Sequence, residues 1–129
     1  MRRVILMTLL AAASSGAEAV QSSYSCAAQN VYLLDDKGRI KEDATLARNM
    51  RGERFSVDMM TGRIAGERIP AFPAVKFAVL SPSGKGGPFR VYFQGYNYVS
   101  YLEVYEHQDG GAKPFVLHDG ESIYSGFCE

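Results

Sequence analysis

The sequence predicts an all-β fold, a small antiparallel barrel or sandwich of about eight or nine short strands with one short helix, its N- and C-terminal strands joined by a disulfide. Three observations carry this reading. Past residue 20 the chain consists mostly of short runs of β-branched and aromatic residues, interrupted at close intervals by Gly, Asp, Asn and Pro. Its two cysteines, Cys26 and Cys128, stand near the two ends of that region. Within residues 89–106, one pairing register sets apolar side chains opposite apolar ones and opposite charges together.

The first segment reads as a targeting signal. Arg2 and Arg3, the apolar stretch from Val4 to Ala13 and the polar tail from Ser14 to Ala19 follow the three-part secretory layout, with cleavage expected after Ala19. The apolar stretch has ten residues, against the roughly 20 that a membrane-spanning helix needs. The organisation expected is therefore a signal peptide over 1–19 and a single secreted β domain over 20–129, without a transmembrane segment in the mature chain. The periplasm or the exterior is the expected location, and in such an oxidising compartment Cys26 and Cys128 pair. Tyr24 stands where a lipoprotein signal would need a small residue, so Cys26 reads as structural. Closing a loop of about 100 residues stabilises the fold by roughly 4 to 5 kcal/mol on the chain-entropy model.

The turns follow in order. Asp36-Lys37-Gly38 joins a strand at Val31 to Leu34 with one at Arg39 to Lys41, placing Leu34 across from Ile40. Asp43 caps a helix over Ala44 to Arg51, with Leu46, Ala47 and Met50 along one stripe and Gly52 just past its end. Met59-Met60-Thr61-Gly62 closes a hairpin that sets Val57 opposite Ile64 and Asp58 opposite Arg63. Loops are expected over 68–74 and 81–88. A tip of Gly95-Tyr96-Asn97-Tyr98 pairs Phe89 with Val104, Arg90 with Glu103, Val91 with Leu102 and Tyr92 with Tyr101. Phe89, Val91, Phe93, Leu102 and Val104 then face the core. Asp119-Gly120 is the strongest two-residue hairpin signal and sets Val116 opposite Ile123 and His118 opposite Glu121, so that residues 89–128 form a four-stranded meander.

Composition excludes more chemistry than it suggests. Without Arg2, Arg3 and Glu18 the chain carries 12 basic and 13 acidic side chains, which is no electrostatic footprint for nucleic acid. His107 and His118 fall at opposite strand ends, too far apart to share a metal, and no cofactor is expected. Ser125 lies outside any nucleophile elbow. Ser83 to Gly87 lacks the full phosphate-loop spacing, and Arg48, Arg51 and Arg54 read as a solvated face. The tyrosines stand out: Tyr92, Tyr96, Tyr98, Tyr101 and Tyr105 crowd one hairpin, three on its outer face and two at its tip. Tyrosine joins apolar area to a polar end, which suits an interface or a sugar-stacking surface.

The expected function is an exported, non-catalytic binding or accessory protein of the cell envelope, taking a protein or glycan partner through this aromatic hairpin. The alternatives are a small periplasmic hydrolase built around His107 or His118, and a lipocalin-like carrier with an apolar cavity. The plan of a small exported β domain stapled between its ends is similar to that of periplasmic binding and inhibitor proteins, including bacterial inhibitors of lysozyme. That likeness is one of architecture and transfers no residues.

Overall fold

A computed structural model describes residues 21–106 and 111–129; the signal-peptide reading of 1–19 and the reading of His107 lie outside them. Among the described residues, nine strands and one helix follow one another as β1 (Ser23–Leu34), β2 (Ile40–Glu42), α1 (Ala44–Met50), β3 (Arg54–Asp58), β4 (Ile64–Gly66), β5 (Lys76–Ser81), β6 (Phe89–Gln94), β7 (Val99–Val104), β8 (Lys113–Asp119) and β9 (Ser122–Cys128). All pairings are antiparallel, in the order β4-β3-β1-β9-β8-β7-β6-β5, with β2 added to β1. The sheet curls into a nearly closed eight-stranded barrel, which decides between the two expected architectures.

The strand β1 organises this barrel. Its first half pairs with β3 and its last residues with β2, while the opposite edge runs along β9. A bulge between Ala28 and Asn30 breaks the ladder with β9. On the other edge, between the stretches taken by β3 and β2, the chain leaves the sheet to form α1. That excursion is fastened where Asp43 N donates to Val31 O at 3.0 Å and Gly52 N donates to Ala28 O at 2.7 Å. The Asp43 carboxylate accepts from Leu46 N at 2.7 Å and so caps the helix as its sequence predicts. Ala47 and Met50 enter the core, and Gly52 takes the left-handed conformation that ends the turn.

The expected hairpins form at Gly38 and Gly62, both at positive φ, with Leu34 across from Ile40 and Val57 across from Ile64. The β6–β7 register is the predicted one throughout, including Arg90 with Glu103 and Tyr92 with Tyr101. Its five predicted core residues are all fully buried. The turn between β8 and β9 corrects the sequence reading. Asp119 pairs with Ser122, so the loop is Gly120-Glu121, Val116 faces Ser125 and His118 faces Ile123. Asp119 stays in the strand because its carboxylate has buried work there, accepting from Ser100 Oγ and from Ala71 N. Since the register moves by two residues, no side chain changes face.

Side chains fill the barrel interior: Tyr24, Phe89, Phe93, Phe115, Leu102, Leu117 and a set of valines are buried almost completely. Each fully buried Phe, Leu or Val contributes about 1.5–3 kcal/mol. At the meeting of first and last strands, Cys26 lies directly across from Cys128 and bonds to it. Breaking that bond with Cys26→Ala and Cys128→Ala together is expected to lower the unfolding free energy by about 4 to 5 kcal/mol, measured by chemical denaturation. An unchanged midpoint contradicts the assignment of a stabilising role.

Candidate functional site

The hairpin β6–β7 sets its tyrosines in two groups. On the outer wall, Tyr92 and Tyr101 are direct cross-strand neighbours, each half-buried. Tyr92 donates its hydroxyl to Gln94 Oε1. Tyr101 donates to Glu103 Oε2 at 3.2 Å, and Arg90 places two guanidinium N–H groups on Glu103 Oε1, each at 3.1 Å. Burial, and after it the Glu103 charge, raises the Tyr101 pKa. Because His118 sits across from Tyr101 and Ile123 across from His118, while Tyr32 in turn faces Ile123, a band of rings and apolar side chains crosses five strands. Tyr105 follows at the far end of β7, half-buried on the same wall.

The tip carries the second group. Tyr98 folds back so that its hydroxyl donates to Phe72 O at 2.5 Å and Pro73 O at 2.9 Å. Its ring meets that of Phe72 at 5.6 Å and 45°. Gly95 is what admits this ring, since a Cβ there would lie 2.0 Å from Tyr98 Cε1. Burial, and next the Asp119 charge, raises the Tyr98 pKa. Phe72, Pro73, Tyr96, Asn97 and Tyr98 together line a cleft of about 280 Å³. Its lips are open to solvent: Phe72 is 64 % exposed and Tyr96 88 %.

Phe72 and Pro73 belong to the 67–75 loop, which the sequence reading treats only as a connection. The signal available was a phenylalanine between two prolines, in an apolar stretch from Ile69 to Val75 that is too irregular to read as a strand. The tyrosines thus do not form one patch: three stand on the wall, and two join a loop from elsewhere in the chain.

The remaining candidates are placed as follows. His118 is exposed on the outer wall. Ser125 Oγ accepts from Asn30 Nδ2 at 3.3 Å. Arg48, Arg51 and Arg54 are solvent-exposed, and Arg54 reaches Ser25 Oγ at 3.4 Å. Among the described residues, no group of three His, Cys, Asp or Glu side chains is arranged to hold a metal, and no helix is long and apolar enough to cross a membrane. The glycine-rich run after Ser83 is fastened at the opposite barrel end from the cleft. There Glu106 accepts from Tyr24 Oη at 2.5 Å, from Ser83 Oγ, and from Gly84 N at 3.3 Å.

The fold and site define a class, a nearly closed β-barrel whose first and last strands are joined by a disulfide and which presents aromatic surfaces. No protein-family model, no curated protein and no solved structure matches the chain.

The Tyr24 phenol is pushed up to about 12, first by burial and then by its hydrogen bond to Glu106. The folded chain therefore holds this proton more tightly than the unfolded chain, whose tyrosines ionise near 10. The associated stability is complete below about pH 10 and is lost as pH rises toward 12. Melting temperature measured across that window is expected to fall, and to fall less steeply in Tyr24→Phe; identical slopes contradict the assignment.

Proposed function

We propose that this protein is an exported, non-catalytic binding module of the cell envelope, which seats an apolar side chain of a protein partner in the cleft at the β6–β7 tip. The observation that carries the reading is the cleft itself, formed by Phe72, Pro73, Tyr96, Asn97 and Tyr98. It is concave and aromatic, built at the tip of the β6–β7 hairpin, and left open where a monomeric surface would ordinarily cover such residues. Tyr and Phe are the side chains that anchor interfaces, because they bring large apolar area at little conformational cost. Support for the module over a carrier comes from the filled barrel interior, which leaves the aromatic groups on the outside as the recognition chemistry. The disulfide fits an oxidising compartment, in keeping with the secretory layout of residues 1–19.

A glycan partner is the second reading, favoured by one feature of the wall. Tyr92 and Tyr101 lie side by side, flanked by the planar polar groups of Gln94, Arg90 and Glu103, which pairs stacking faces with fixed hydrogen-bonding groups.

The two readings separate by mutation. With residues 20–129 as bait for detergent-solubilised envelope proteins, Tyr96→Ala is expected to weaken capture by about 2 kcal/mol, roughly thirtyfold. Its melting temperature should stay unchanged, because Tyr96 is 88 % exposed. Capture that survives Tyr96→Ala and Phe72→Ala but is lost to insoluble cell-wall glycan in Tyr101→Ala overturns the first reading in favour of the second.

A further inference from the structure

The cleft has two halves from distant parts of the chain, and something must hold them at a fixed distance. Ser100 and Asp119 are direct cross-strand partners on β7 and β8. Both point into the barrel mouth, and they are the two buried polar side chains among the described residues, 0 % and 5 % exposed. Ser100 Oγ donates to Asp119 Oδ1 at 3.0 Å, and the other carboxylate oxygen accepts from Ala71 N at 2.9 Å. Ala71 immediately precedes Phe72 and Pro73, whose carbonyls receive the Tyr98 hydroxyl. Ile69, two residues earlier, is completely buried in the core. The 67–75 loop is therefore held at three successive points: an apolar plug, a buried carboxylate and a phenol.

We infer that Asp119, itself oriented by Ser100, is the positioning residue of the cleft: it fixes the loop that carries Phe72 before any partner arrives. A surface role for the acid is ruled out by its burial, and both carboxylate oxygens accept from Ser100 and Ala71, outside the turn that Asp119 opens. A buried carboxylate is costly unless fully hydrogen-bonded, so its retention at the mouth requires a return. The return is preorganisation, since a cleft already ordered spares the partner the entropy of ordering it. The inference rests on the reading of the cleft as a binding site, but its test needs no partner, so the two can fail separately.

The test is nuclear magnetic resonance on the mature domain. In the wild type, ring protons of Phe72 and Tyr98 show a direct contact, as do those of Tyr24 and Phe89, whose centroids lie 5.7 Å apart in the core. Asp119→Leu is expected to abolish the Phe72–Tyr98 contact and leave the Tyr24–Phe89 contact in place, with Ala71 amide exchange at least roughly tenfold faster, the equivalent of one hydrogen bond to a charged group. Asp119→Asn should restore both, because an amide can accept from Ala71 N while donating to the Ser100 hydroxyl. A folded Asp119→Leu that keeps the Phe72–Tyr98 contact overturns the inference. Should that variant not fold, the wild type decides: Ala71 exchanging at least tenfold more slowly than Phe72 and Ala74 upholds the inference, and equal rates overturn it.

Discussion

The pairing of the first strand with the last is the constraint on which the rest of this structure depends. Contacts between residues 102 positions apart form only after a large loop is closed, and closure costs chain entropy before any contact rewards it. The β1–β9 ladder meets that cost by running over seven residue pairs, and the covalent bond between Cys26 and Cys128 removes much of it from the unfolded chain. With β9 held against one edge of β1, the meander β6 to β9 and the pair β3–β4 lie on opposite sides of a single strand, and the sheet can curl toward closure.

Among the described residues, aromatic and aliphatic side chains fill the barrel interior, so the binding role we propose falls to its wall and its ends. The two ends are finished by similar devices: in each, a carboxylate accepts from a hydroxyl and from a backbone N–H of a loop. Glu106 fastens the loop after β5, and Asp119 fastens the loop before it. At the Asp119 end that anchor lies beside the exposed rings of Phe72 and Tyr96.

Much of this architecture was legible in the sequence where local pattern and tertiary role agree. The β6–β7 hairpin could be read residue by residue because Arg90 and Glu103 lie outside while Val91 and Leu102 lie inside, and one register satisfies both faces. The helix could be read from Asp43 and Gly52. The full extent of β1 could not, since the stretch from Ser23 to Gln29 is rich in Ser and Ala and becomes a strand through partners on both edges. Asp119-Gly120 misled for a related reason: the dipeptide signals a turn, but the carboxylate serves Ser100 and Ala71, contacts no local window contains. The cleft was half-legible. Tyr96 and Tyr98 stood out, whereas Phe72 and Pro73 join them through hydrogen bonds spanning 26 and 25 positions and a ring contact between Phe72 and Tyr98.

The central claim is that β1 and β9, tied by their disulfide, form the most stable part of the barrel and hold the remainder in place. Residue-resolved hydrogen exchange on the oxidised and reduced mature domain tests it most directly. Amides in the β1–β9 ladder, around Val31 and Tyr124, are expected to exchange only by global unfolding and to lose protection together with the whole barrel on reduction. Slowest exchange confined to β6 and β7, unaffected when the Cys26–Cys128 bond is reduced, would contradict it.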